Sequence, residues 1–128
     1  MATPPKHAPI PWRTCKGSRF ELVAAAWLRL HGLRLLERNY RCRFGELDLV
    51  MLDGEVLVFV EVRYRIGNDY GSAVDTIDSR KQQRLWHAAR HFLLHRSEHA
   101  QRPCRFDVLG ICGRLPRYNF QWLTNVFV

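Results

Sequence analysis

A chain of 128 residues, 47% hydrophobic and 25% charged, has the size and make-up of one domain with a core of its own. Twenty lysines and arginines against twelve acids leave a net charge of +8, which favours a polyanionic partner, nucleic acid above all, unless it is only a basic solvated surface. No apolar run reaches the ~20 residues that span a bilayer and no charged-then-apolar leader opens the chain, so a cytoplasmic protein with no membrane partner is expected.

Residues 1–16 hold four prolines, two lysines, one arginine and no acid, and read as a disordered or loosely attached basic tail. A single domain over 17–128 follows. Ser18 is placed as an N-cap with Glu21 three residues on, and Phe20, Val23, Ala24, Trp27 and Leu30 recur at helical spacing up to Gly32. This predicts an amphipathic helix over 18–31. Glu21 then has two accounts, a capping-box partner or an acid facing a functional site. Residues 33–43 are a first strand.

Next come Gly45–Leu52 and Val56–Arg63, joined by Asp53-Gly54, a strong hairpin signal. With Asp53-Gly54 as a two-residue turn, Leu52 pairs with Glu55, Asp48 faces Phe59 and Glu46 faces Glu61. Asp48 and Glu61 become diagonal neighbours, about 7–8 Å apart at the backbone, and Arg63 shares the face of Glu61. The second arm is almost unbroken hydrophobe, as in a strand covered on both faces.

Tyr64–Thr76 carries Gly67, Asn68, Asp69 and Gly71 and reads as a loop. A second helix starts at Asp78 or Ser79 and runs to about His95, with Leu85, Ala88, Ala89, Phe92 and Leu93 inward. A strand over 105–112, a turn at Gly113–Pro116 and a last strand over 120–128 complete the order αβββαββ. This predicts an α/β or α+β fold with a mixed sheet between helices.

The hairpin acids carry the chemistry. A carboxylate in so apolar a strand is costly to bury unless a cation offsets it. Asp48 and Glu61 are therefore either a salt-bridged pair supported by neighbouring arginines or the ligands of a hard divalent ion such as Mg²⁺. Arg63, two residues past Glu61, supplies the positive group that phosphate chemistry asks for. The second helix bears Arg80, Lys81, Arg84 and Arg90 with no acid between Ser79 and Ser97, a stripe suited to phosphates. His87, His91, His95 and His99 repeat every fourth residue, but without the H-E-x-x-H pattern they read as a solvated face rather than a designed metal site. Of the four tryptophans, Trp27 and Trp122 read as core. Cys15, Cys42, Cys104 and Cys112 contain no C-x-x-C pair and read as reduced thiols, with a Cys104–Cys112 bridge as the alternative. Only Lys6, Lys16 and Lys81 among the 20 basic residues are lysine, a bias that lowers the weight of any single arginine. No Walker loop, G-x-G-x-x-G or G-x-S-x-G is present.

The segments Arg38-Asn39-Tyr40-Arg41, Gly45-Glu46-Leu47-Asp48-Leu49-Val50 and Phe59-Val60-Glu61-Val62-Arg63-Tyr64-Arg65 resemble the YraN family of small bacterial proteins. Lys81-x-x-Arg84-Leu85 and Arg105-Phe106-Asp107-Val108 look like it too. That family is similar to archaeal Holliday-junction resolvases and the wider PD-(D/E)xK nuclease superfamily. The resemblance covers about residues 17–128 and implies a restriction-endonuclease-like fold and Mg²⁺- or Mn²⁺-dependent cleavage of structured or branched DNA. It implies Asp48, Glu61 and the Val62 carbonyl as metal ligands, Glu21 as a further acid, Arg63 as the catalytic cation, and a homodimer. Arg65, Arg80, Lys81 and Arg84 are the expected nucleic-acid contacts. Arg63 departs from the pattern, which has lysine there. A catalytically weak or inactive nucleic-acid-binding protein of the same fold is the alternative, and a scaffold for an acidic protein a third.

Overall fold

The computed structural model describes residues 13–14, 19–66, 73 and 77–127. The elements are β1 (Arg13–Thr14), α1 (Arg19–Leu30), β2 (Arg34–Cys42), β3 (Gly45–Asp53), β4 (Val56–Arg65), α2 (Ser79–His95), β5 (Cys104–Arg114) and β6 (Arg117–Leu123), with a 3₁₀ turn at Ser97–His99. The sheet runs β2-β3-β4-β5-β6, with β1 paired to β4 off that path. Among the described strands only β4 and β5 are parallel, so the chain must return along the sheet between them, and α2 makes that return. This is the mixed sheet with two flanking helices that the sequence predicts, with β1 added.

Each helix covers one face. Leu85, Ala88, Ala89 and Phe92 of α2 pack on Leu47, Val50, Leu52, Leu57, Phe59 and Phe106. Ala24, Ala25 and Leu28 of α1 pack on Leu49, Met51, Val58, Val60, Val62 and Leu109. The central strand β4 thus feeds both cores, as its unbroken hydrophobicity requires. Helix α1 ends where Gly32 takes φ 96° and the Leu33 N–H reaches back to the Leu28 carbonyl at 3.1 Å. Asp78 caps α2, its Oδ1 accepting from the Lys81 N–H at 2.8 Å.

Two expectations are corrected. The β3–β4 turn is Gly54-Glu55, since Asp53 pairs with Val56. Asp53 is kept in the ladder by Arg105, whose Nη1 lies 2.9 Å from its Oδ2, and Gly54 takes the positive φ that opens the turn. Leu52 consequently pairs with Leu57 rather than Glu55. Second, β6 begins at Arg117, opposite Arg114, and stops at Leu123, so the final strand is displaced toward the N-terminus from 120–128. As expected, Cys42, Cys104 and Cys112 are free thiols; Cys104 and Cys112 stand eight residues apart on the extended β5, roughly 26 Å, far beyond the distance the alternative bridge requires. Ser18, Cys15, most of the basic tail and most of the 64–76 loop lie outside the described residues, although Arg13–Thr14 are strand. No described helix is long and apolar enough to cross a membrane.

Candidate functional site

The pairing of β3 with β4 stops just short of Asp48. Leu49 belongs to the core under α1 and Leu47 to the core under α2, so the alternation of faces breaks between them. The β3–β4 ladder ends at Leu49–Val60, and across the sheet Asn39, flanked by the Arg38–Leu49 and Tyr40–Leu47 pairs, takes φ 55°. Where the strands part, the Asp48 side chain stands in for the missing ladder carbonyl: its Oδ2 accepts the Val62 N–H at 2.9 Å. The carboxylate is thereby held between the two layers, in the gap rather than on a face. With the corrected turn, Asp48 is level with Glu61 instead of diagonal to it.

Asp48 is fully buried, and Glu21 and Glu46 converge on it, one carboxylate oxygen from each of the three lying within 4.8 Å of the others. Glu21 arrives from the first turn of α1 and faces this site, while its expected capping partner Ser18 lies outside the described residues. Glu61, 2% exposed, stands on the α2 side between Val60 and Val62, which face α1. Arg63 Nη2 lies 3.4 Å and Lys81 Nζ 3.7 Å from the same Glu61 oxygen. Burial, then the charge of Glu61 and, further down, Glu21, push the Asp48 carboxyl up to about 8, against the Val62 hydrogen bond and the Lys81 charge.

Of the sequence-derived pair, Asp48 belongs to the convergent trio with Glu21 and Glu46, while Glu61 stands outside that trio, acting on Asp48 by its charge and holding the two cations. Glu46 is the acid that sequence reasoning missed. Its signal was the i, i+2 spacing to Asp48 on one strand, which was masked by pairing it with Glu61. Lys81, expected as a phosphate contact on the stripe, reaches the acids instead, because the Asp78 cap fixes the first turn of α2 against β4. Arg80 and Arg84 are exposed as expected. Arg65, at 5% exposure, is buried like Arg63 at 7%, and does not lie on the exposed stripe with Arg80 and Arg84.

As a fit test for a metal, Asp48 Oδ1 is a buried acceptor without a hydrogen-bond donor among the described residues. Surrounding acids supply hard oxygen donors, the set that Mg²⁺ or Mn²⁺ takes. The residues fit such an ion. Asp107, in another segment of family likeness, does structural work: it accepts from Arg105 Nε at 3.0 Å, Trp122 Nε1 at 3.0 Å and the Asn125 N–H at 2.9 Å. The histidine run makes local contacts, His91 with the Tyr40 hydroxyl and His95 Nδ1 with the His91 carbonyl. Trp27 stacks on Phe120, while Trp86 is 45% exposed beside Phe106.

A family model described as "Uncharacterised protein family UPF0102" matches residues 20–111. Among curated proteins, the chain is 52% identical over 115 residues to a UPF0102 protein of Pseudomonas putida (strain W619), covering 89% of this chain and 94% of the relative. It is 49% identical over 112 residues to a UPF0102 protein of Alcanivorax borkumensis, covering 87% and 90%. For one of Nitrosococcus oceani the figures are 47% over 112 residues, 88% and 90%.

Proposed function

The chain belongs to the uncharacterised protein family UPF0102, the YraN family, and from that footing we propose that it is a metal-dependent endonuclease hydrolysing phosphodiester bonds in structured or branched DNA. The observation that carries the proposal is the buried trio of Glu21, Glu46 and Asp48 where the β3–β4 pairing ends, with buried Glu61 beside it holding Lys81 and Arg63. Asp48, Glu61 and the Val62 carbonyl would hold Mg²⁺ or Mn²⁺, with Glu21 and Glu46 beside them. Bound there, such an ion supplies Lewis acidity at a phosphate oxygen and lowers the pKa of an attacking water.

The chain's own residues account for the rest. Four buried acids repel a polyanion, so cations must accompany them. The Arg63 guanidinium steadies charge gathering on the phosphate. Lys81 is the more exposed of the two, its side chain 18% accessible against 9% for Arg63, and so is the one a substrate meets first. Exposed Arg80 and Arg84 on the same helix extend the positive surface for the DNA backbone. Two such chains in a homodimer would serve a branched substrate. The second reading, a nucleic-acid-binding protein without turnover, is favoured by one observation: Arg63 holds the position where the family pattern has lysine.

The test is a cleavage assay on junction, flap and linear DNA with Mg²⁺ or Mn²⁺. Wild type is expected to cut a structured substrate, and Asp48→Ala to cut it roughly 10²–10³-fold more slowly. Cleavage by Asp48→Ala at the wild-type rate overturns the assignment. Metal-independent binding of all three DNAs with no product from wild type replaces it with the second reading.

A further inference from the structure

An open groove of about 610 Å³ lies between the β2–β3 turn and the middle of α2, lined by Arg43, Phe44, His87, Arg90, His91 and Leu94. No acid lines it. Its wall is aromatic: Phe44 stacks on His87 with ring centroids 5.3 Å apart and 29° between planes, and the Arg43 guanidinium lies 4.7 Å over the Phe44 ring. Leu94 is 80% exposed at its margin. His91 is anchored by the Tyr40 hydroxyl. Desolvation and the nearby charges of His95, Arg43 and Arg96 favour its neutral form.

The groove is in line with the acid set. Arg84, His87, His91 and Leu94 follow at steps of three or four along α2 and share one face of the helix, with Lys81 round its edge toward Glu61. Gly45, next to Phe44, sits against that face, where an added Cβ would lie 3.8 Å from the Arg84 Cβ. From Lys81 to Arg90 the axis rises roughly 13–14 Å, a few nucleotides of extended strand. Flat rings beside two arginines suit a base stacked between phosphates, because every base has a π-face and guanidinium takes phosphate.

We propose that this groove binds an unpaired nucleotide of a DNA strand whose scissile phosphate lies at Asp48, the base stacking on Phe44 and His87 and the flanking phosphates resting on Arg43 and Arg90. The proposal rests on the nuclease reading for its orientation and on the groove alone for binding. It gives that site its substrate class: DNA with a single-stranded arm or an unpaired position near the cut.

The test is fluorescence anisotropy in EDTA with single-stranded DNA, single-stranded RNA and blunt duplex of equal length. Variants are Phe44→Ala, Phe44→Leu, Phe44→Trp and Arg43→Ser/Arg90→Ser, each checked for wild-type circular dichroism. Wild type is expected to prefer single-stranded DNA to duplex. Phe44→Ala and Phe44→Leu are expected to weaken it about tenfold or more, and Phe44→Trp to restore it. The double arginine variant is expected to flatten the salt dependence by about 1.4 in log–log slope, roughly 0.7 for each single-strand phosphate no longer neutralised. Equal affinity of all variants for single-stranded DNA overturns the subsite. So does Phe44→Leu binding like wild type, which marks an apolar surface suited to a protein, and so does exclusive binding of RNA. Cleavage by wild type alongside unaltered variants sinks the subsite and leaves the nuclease; a Phe44-dependent grip on DNA with no cleavage does the reverse.

Discussion

At the scale of single residues, Asp48 dominates. Its ordinary pKa of 3.8 is raised to about 8 in the folded chain, so between those values the folded protein holds a proton that the unfolded chain has released. Folded stability from this group is therefore complete below the unfolded value and declines as pH climbs toward 8. Removing the charge should remove the decline: Asp48→Asn is expected to be more stable than wild type at pH 8.5 in EDTA, by an amount on the order of a few kcal/mol, and nearly equal at pH 4. Urea unfolding at the two pH values measures it, and a wild-type advantage at pH 8.5 would contradict it. Mn²⁺ should reverse the order, raising the melting temperature of wild type at pH 8.5 and leaving Asp48→Asn unmoved, because an ion that binds only the folded chain stabilises it by mass action. Asp107 is the contrasting acid. With three donors aimed at it, Asp107→Ala should lose about 3–5 kcal/mol in the same urea experiment by stranding Arg105 and the Trp122 indole.

Elements decide how far the sequence could be read. Hydrophobic period and caps are local, and they were enough for α1, α2 and the hairpin, and to draw attention to Asp48, Glu61 and Arg63. What failed was set by distant partners. The turn moved by one residue because Arg105, 52 positions from Asp53, holds that aspartate in the ladder. The end of the β3–β4 pairing short of Asp48 depends on Val62 and a twisted Asn39 rather than on the residues of β3. Lys81 reaches Glu61 only through the docking of a whole helix, which no spacing reveals. That docking gives a prediction of its own. Asp78→Ala removes the α2 cap and should cost about 1 kcal/mol of stability. It should also slow metal-dependent cleavage severalfold by loosening Lys81, an effect that Asp78→Ser, which keeps a capping oxygen, should restore.

For the molecule as a whole, net charge +8 and an arginine-rich surface make every phosphate contact salt-dependent. Affinity for duplex DNA should fall linearly on log–log axes with salt, by about 0.9 for each phosphate neutralised, and charge reversal at Arg80 and Arg84 should shallow the slope by about 2. A flat salt titration would remove nucleic acid from consideration. The architecture also exposes one dependency far from any arginine stripe. Beyond Val60, where β3 departs, β4 gains its other neighbour from Arg13–Thr14, which pair with Tyr64 and Arg63. A protein trimmed to start after residue 14 would bare that rim of main-chain donors and acceptors, an invitation to edge-to-edge association between copies. Amino-terminal trimming is thus a change to the strand that carries Glu61 and Arg63, and light scattering of the shortened chain should reveal it as aggregation.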